Sequence, residues 1–233
     1  MKKYQLFSLT GLVLLILVTV SLTSHSVPVQ LKDTKGFAVV ELFTSEGCSS
    51  CPPADEAVAR LQQENNENVF VLGFHVDYWN YLGWKDEYSN AVFTKRQGLY
   101  AENFNLNSIY TPQVIVNGRK EFVGSNESQL RKTVEQQLKE ASPATVLLTA
   151  KNNGNHSIEI VFSGTNTKGA ITNIALVQRE AVSMVKRGEN KGRELKHINL
   201  VRDFRSIEGS EGKTNLSVPA GISEKNCFVV AYA

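Results

Sequence analysis

Residues 37–55 read FAVVELFTSEGCSSCPPAD, and the succession of residue types in this stretch decides the fold. Phe37 to Thr44 is an apolar run rich in β-branched and aromatic residues, the composition of a buried strand. Cys48 and Cys51 follow where that strand ends. Pro52 and Pro53 stand where a helix would begin, a place that tolerates proline because first-turn N–H groups lack helical partners. Asp55 and Glu56 suit the positive end of the helix dipole. Ala57, Val58 and Leu61 recur at helical spacing, and the helix is expected to fade at Asn65 and Asn66.

Working outward, Val69 to Val76 (VFVLGFHV) predicts a second strand. Strand, helix, strand implies a parallel pair with a right-handed crossover. An aromatic loop, YWNYLGWKD, occupies Tyr78 to Asp86. Val92, Leu99 and Tyr100, with Phe93 beside them, predict one face of a helix from Ser89 to Phe104. Thr111-Pro112 precedes short strands at Val114–Val116 and Glu121–Val123, and Asn117-Gly118 between them is a hairpin signal. Gly124-Ser125-Asn126 opens a further helix to Glu140, with Leu130, Val134 and Leu138 as its apolar face. Ser142-Pro143 reads as a domain boundary. Beyond it, strand-like runs at Thr145–Thr149, Ser157–Phe162, Ile174–Gln178 and Cys227–Tyr232 are separated by turn-rich stretches. These predict a small antiparallel sandwich over residues 143–233, behind an α/β domain over residues 33–141.

Lys2 and Lys3, the apolar run from Leu6 to Leu22 and the small residues of Ser24-His25-Ser26 form an export signal over residues 1–26. The expected location is therefore periplasmic or secreted; if the leader is uncleaved, it would anchor the chain to a membrane. The 233 residues carry 25 basic and 23 acidic side chains, a net charge of +2 that gives no electrostatic case for nucleic acid.

Export sharpens the reading of the three cysteines, because thiols outside the cytoplasm tend to oxidise. One CxxC and a distant Cys227 do not make a multi-disulfide scaffold. Three chemistries fit Cys48 and Cys51. The first is thiol–disulfide exchange. A cysteine at a helix N-terminus meets unpaired N–H groups that favour thiolate, with Cys48 as the more exposed nucleophile and Cys51 as the resolving thiol. The second is metal binding. Tetrahedral zinc needs four ligands, but Cu(I) accepts two thiolates and an imidazole such as His75. The third is an inert disulfide that staples the turn in a binding module. Exchange needs no bound cofactor.

The order strand, CxxC, helix, strand, helix, Thr-Pro, hairpin, helix resembles the thioredoxin fold over residues 33–141. That resemblance implies a cis peptide at Thr111-Pro112, lying against the cysteine pair and leaving the preceding backbone free for a substrate strand. The segments ELFTSEGCSSCPPAD, FHVDYWNYLGWKD, YTPQVIVNGR and RGENKGRELKHINLVR are together similar to the bacterial thioredoxin-like domain-of-unknown-function family 1223. That likeness implies a fold and names no activity. TPQVIVNGRKEFVGSNESQL also resembles the glutaredoxin pattern. It implies that the Ser125 and Asn126 amides hold a carboxylate of glutathione, although the usual second glycine is Ser125. A helix cap explains the same two residues.

Other residues carry paired readings. His75 and Asp77 alternate on a strand, as a proton relay or as a hydrogen-bonded pair. Glu41 and Glu46 flank the cysteine turn, either as a carboxylate able to shuttle the proton of Cys51 or, for Glu46, as a solvated loop charge and, for Glu41, as a strand residue that is buried and perturbed or faces an edge. Tyr78, Trp79, Tyr81 and Trp84 either line a substrate groove, Trp79 foremost, or cap the core. Gln178 to Arg205 holds eight Lys/Arg against four Asp/Glu, the pattern of a solvated hairpin face. The partner expected from all this is a protein or small-molecule thiol or disulfide.

Overall fold

The computed structural model describes residues 36–64, 67–142 and 144–233. The expected leader, the helix end at Asn65 and Asn66, and Pro143 lie outside the described residues. Strand β1 (Ala38–Thr44) is buried along its whole length and runs into helix α1 (Pro52–Glu64) through the cysteine turn. Strand β2 (Val69–His75) pairs with β1 in parallel, Ala38 opposite Val69 and Thr44 opposite His75. Helix α2 (Ala91–Asn103), strands β3 (Gln113–Val116) and β4 (Lys120–Val123) and helix α3 (Glu127–Lys139) follow. Asn117 and Gly118 both adopt positive φ, 48° and 64°, as a two-residue hairpin turn requires.

Period-two alternation sends β1 side chains to opposite faces. Val40 and Leu42 pack with Ala57, Val58 and Leu61 of α1 and with Leu130 and Val134 of α3. Val39 and Phe43 pack on the other face with Phe74 and with Phe93 of α2. Each large side chain buried this way contributes about 1.5–3 kcal/mol.

The second half of the chain is built differently from the sequence expectation. Strands β5 (Thr145–Asn152), β6 (Ser157–Thr165) and β9 (Glu211–Ser217) form a three-stranded antiparallel sheet. Strands β7 (Ile171–Met184), β8 (Glu194–Glu208) and β10 (Cys227–Tyr232) instead join the first half in one seven-stranded sheet, ordered β10-β7-β8-β2-β1-β3-β4. The sandwich over residues 143–233 is thus not a separate domain, and the described residues from Gly36 to Ala233 form one compact unit. The physical reason is β2, which is apolar on both faces and must be covered along both edges. β1 takes one edge and β8 the other, where Gly73 meets Leu200. The small sheet packs on the big one through Ile160, Phe162 and Leu216 against Ile174 and Leu176 of β7.

Helix α2 also corrects the sequence reading. Val92 and Leu99 are exposed at 51% and 57%, while Phe93, Gln97 and Ala101 are buried. Buried Gln97 uses both Nε2 hydrogens, donating to the Tyr110 carbonyl at 2.7 Å and to Gln113 Oε1 at 2.9 Å, while its Oε1 is buried without a hydrogen-bond partner. Among the described residues no helix is long and apolar enough to cross a membrane.

Candidate functional site

The turn after β1 is set by backbone bonds. The Cys48 amide donates to the Ser45 carbonyl at 3.2 Å, and the Cys51 amide donates to the Cys48 carbonyl at 3.2 Å. The Cys51 carbonyl then accepts from Ala54 and Asp55, which starts α1. Cys48 and Cys51 form a disulfide with Cα atoms 5.4 Å apart. The sequence made Cys48 the more exposed thiol. Both residues are in fact completely buried, while Ser49 and Ser50 between them are exposed. Ser50 Oγ lies 3.3 Å from Cys48 Sγ.

Thr111-Pro112 is cis. Trp79 Nε1 donates to Thr111 Oγ1 at 2.7 Å, so the aromatic loop is fastened to this peptide. A Cβ on Gly47 would come 3.0 Å from Trp79 Cβ, so the indole's backbone lies directly on the cysteine turn. Gly124 makes a similar close approach: a Cβ there would be 3.3 Å from Pro112 Cβ and 3.1 Å from Ala54 Cβ. The other loop aromatics separate. Tyr78 packs into the core under α2, Tyr81 is 78% exposed, and Trp84 Nε1 donates to Glu46 Oε2 at 2.7 Å.

Glu46 belongs to a buried cluster of acids and imidazoles that the sequence scatters over 150 residues. Its other oxygen is 3.2 Å from His197 Nε2 on β8, and its amide donates to Asp86 Oδ2 at 2.9 Å. Asp86 Oδ2 also meets His75 Nδ1 at 2.7 Å. Burial alone would push the Asp86 carboxyl up, but the His75 imidazole and the Glu46 and Tyr88 amides hold it below the usual range. The rings of His75 and His197 lie 4.8 Å apart, each 5.5 Å from Tyr88. His197 Nδ1 is buried with no hydrogen-bond partner.

Asp55 borders this cluster, one helical turn after Cys51 and therefore on the same face of α1. Thr44 Oγ1 donates to its Oδ2 at 3.2 Å. Burial pushes the Asp55 carboxyl up to about 7, and the negative Asp86 and Glu46 side chains add to the rise. The His197 charge and the Thr44 hydroxyl oppose it. The residue as a whole keeps some solvent contact, but its carboxyl end is enclosed.

The remaining candidate residues fall elsewhere. Glu41 points to the α2 face, where Arg96 grips both of its oxygens at 2.7 Å. His75 and Asp77 part company, since Asp77 is held by Thr94 at 2.6 Å. Asn126 accepts from the Gln129 amide at 3.1 Å and caps α3, with Ser125 exposed beside it. Cys227 is a half-buried free thiol whose pKa is raised by burial. Among the described residues no three His, Cys, Asp or Glu side chains are arranged to hold a metal ion.

The basic segment between β7 and β8 closes over the cysteine turn. Asn190, fully buried, donates through Nδ2 to the Glu46 and Cys48 carbonyls, both at 2.9 Å. Exposed Glu189 accepts from the Ser49 amide at 2.9 Å. This is where RGENKGRELKHINLVR lies. Three of the four motif segments noted in the sequence therefore converge on the disulfide, and the fourth holds the cis proline.

The family model described as "Protein of unknown function (DUF1223)" matches residues 39–232. The chain belongs to the DUF1223 family. A crystal structure of an Agrobacterium tumefaciens protein is similar at 34% identity and a TM-score of 0.60, covering 77% of this chain and 78% of that one. HBP35 of Porphyromonas gingivalis is similar in fold alone, at 17% identity and a TM-score of 0.54 over 85% of this chain and 69% of that one. The search of curated proteins returns no match. In this DUF1223 chain, sequence reasoning missed Asp55 as a perturbed acid, and missed Asp86, Asn190 and His197 altogether. Asp55 carried a signal in its spacing of four from Cys51. His197 and Asn190 carried none, because their approach depends on β8 pairing with β2.

Proposed function

We propose that this chain is an exported thiol–disulfide oxidoreductase of thioredoxin-like fold, acting through Cys48 and Cys51. The observation that carries the reading is the disulfide at the N-terminus of α1 with an acid of raised pKa one turn behind it. The β1–α1–β2 unit, the cis Thr111-Pro112 peptide and the β3–β4 hairpin leading into α3 support the fold assignment.

In the reaction, a partner thiolate attacks Cys48 Sγ and the Cys48–Cys51 bond breaks. Cys51 leaves as a thiolate and takes a proton, which a neutral Asp55 is placed to provide. A second partner thiol then displaces Cys48, leaving the partner oxidised and both cysteines reduced. Run backwards, the same steps reduce a substrate disulfide and re-form the Cys48–Cys51 bond. The partner is a protein or small thiol. Glutathione is one such candidate through the Ser125 amide, while the Asn126 amide is already donated to the Val123 carbonyl at 3.0 Å.

Full burial of both cysteines favours a second reading, a disulfide that only staples the turn. A redox titration in defined dithiol buffers separates the two. Thiol state would be read by alkylation and mass. A potential between about −120 and −270 mV is expected for a working oxidoreductase, and a pair still oxidised below about −300 mV is a staple. Cys51→Ser is expected to accumulate a mixed disulfide at Cys48, visible as an added partner mass. Absence of that adduct on Cys48 counts against exchange.

A further inference from the structure

We propose that the turn between β7 and β8, residues 185–193, is a strap that decides which thiols reach Cys48. The proposal rests on the exchange reading above and adds a selecting element to it.

Thiol–disulfide exchange requires the incoming sulfur to approach the sulfur it attacks, so its rate depends on access. Cys48 presents no surface to solvent, although its neighbours Ser49 and Ser50 are exposed. The strap lies on this turn. Asn190 bridges the carbonyls of Glu46 and Cys48, Glu189 takes the Ser49 amide, and Arg193 Nη1 holds Asn190 Oδ1 at 3.0 Å. The Ser49 hydroxyl and amide hold the Glu189 carboxyl below its usual range, so the contact is made by the charged form.

These contacts suit a part that lifts. Between the buried anchor Val185 and Arg193, the strap is held to the cysteine turn by hydrogen bonds, which water can replace at small net cost. Gly188 and Gly192 bracket Asn190 at φ values of 74° and 82°, where other residues are strained. The bonds go to backbone atoms of residues 46, 48 and 49. A protein substrate laid along the cis Thr111-Pro112 peptide would have to meet the same turn. A small thiol needs only a brief, local opening. A protein dithiol needs the strap displaced.

The chemistry selected is the step already given: the incoming thiolate bonds to Cys48 Sγ and Cys51 takes the electron pair and a proton. The test measures second-order rates of reduction of the full chain by dithiothreitol and by a reduced thioredoxin, in the wild type, Asn190→Ala and Glu189→Ala. Asn190→Ala is expected to raise the rate with thioredoxin at least tenfold and the rate with dithiothreitol no more than about threefold, as breaking two net-weak bonds allows. Glu189→Ala, changed at an exposed side chain, is expected to move in the same direction by less, and it decides the matter if Asn190→Ala does not fold. Equal acceleration with both reductants overturns selection, and unchanged rates overturn the strap. The equilibrium potential of the wild type reports on the exchange reading independently. A staple-like potential with size-selective rates would fail that reading and keep the strap.

Discussion

Arg96→Met is expected to destabilise the protein by about 3–5 kcal/mol, the cost of leaving a buried charge without its partner. The charge is Glu41, at 1% exposure in the middle of β1. Arg96 Nε and Nη2 each donate to it at 2.7 Å, and the hydroxyls of Tyr100 and Tyr232 each donate to Oε1 at 2.9 Å. The guanidinium also lies 4.5 Å from the Phe204 ring centre and 4.9 Å from that of Tyr100. Burial would pull the Arg96 pKa down, but the Glu41 carboxylate holds it above its ordinary value. Arg96 Nη1 also donates to Asn173 Oδ1 of β7 at 3.3 Å, so β1, α2, β7, β8 and β10 all meet on one ion pair, and β1 is the strand that delivers Cys48. Urea unfolding midpoints measure the effect. The double variant Glu41→Leu with Arg96→Met is expected to recover most of the loss, because apolar replacements of both partners remove the desolvation cost as well. A loss below about 1 kcal/mol in the single variant, the size of an exposed pair, would show that Glu41 is not a buried charge.

That network also marks how far the sequence could be read. The path from β1 to α3 was legible because each step has a local cause. Strand composition ends at the cysteines, prolines begin α1, and Asn117-Gly118 turns β3 into β4. Glu41 was visible as an anomaly inside an apolar strand, but its partner was not. Tyr232 lies 191 positions away and reaches it only because β10 pairs with β7 in the shared sheet. The same long-range pairing hid the strap and His197. Local patterning describes a strand and says nothing about which sheet it joins, so β7 and β10 read as part of an independent sandwich, and β8 read only as a charged hairpin face. Helix α2 was foreseen over Ser89–Phe104, but its buried face was misread for the opposite reason. Its exposed Val92 and Leu99 mimic an apolar face, and its buried Gln97 looks polar until its two partners are in place. Asp55 was read for its favourable dipole alone, since desolvation depends on atoms from β1 and β8 that the local sequence does not contain.

Asp55→Asn is expected to slow exchange at pH 7 about a hundredfold, the lower end of what a positioned proton donor or acceptor contributes. The carboxyl titrates near 7, where it can give a proton to departing Cys51 in one direction and take one in the other. The amide does neither. A merely structural role would change stability and leave the pH dependence of the rate in place. The expected signature is therefore a wild-type pH–rate profile with an inflection near 7 that disappears in Asp55→Asn. The groups facing Asp55 are Thr44 on β1, Glu46 on the cysteine turn, Asp86 on the aromatic loop and His197 on β8. None of them changes in this variant. Stability moves the other way. The folded pKa lies above the ordinary 3.8, so Asp55 stabilises the fold in its neutral form. That contribution is complete below about pH 4 and is lost as the pH rises through 7, because the fold must then bury a charge. Asp55→Asn is accordingly expected to be more stable than the wild type by roughly 2 kcal/mol at pH 8, allowing for the solvent contact Asp55 retains, and close to it at pH 4. A slower and more stable variant would identify Asp55 as an acid kept for exchange at the expense of the fold. A variant as fast as the wild type would leave Cys51 to draw its proton from solvent. An unchanged difference in stability from pH 4 to 8 would mean that the carboxyl is not desolvated.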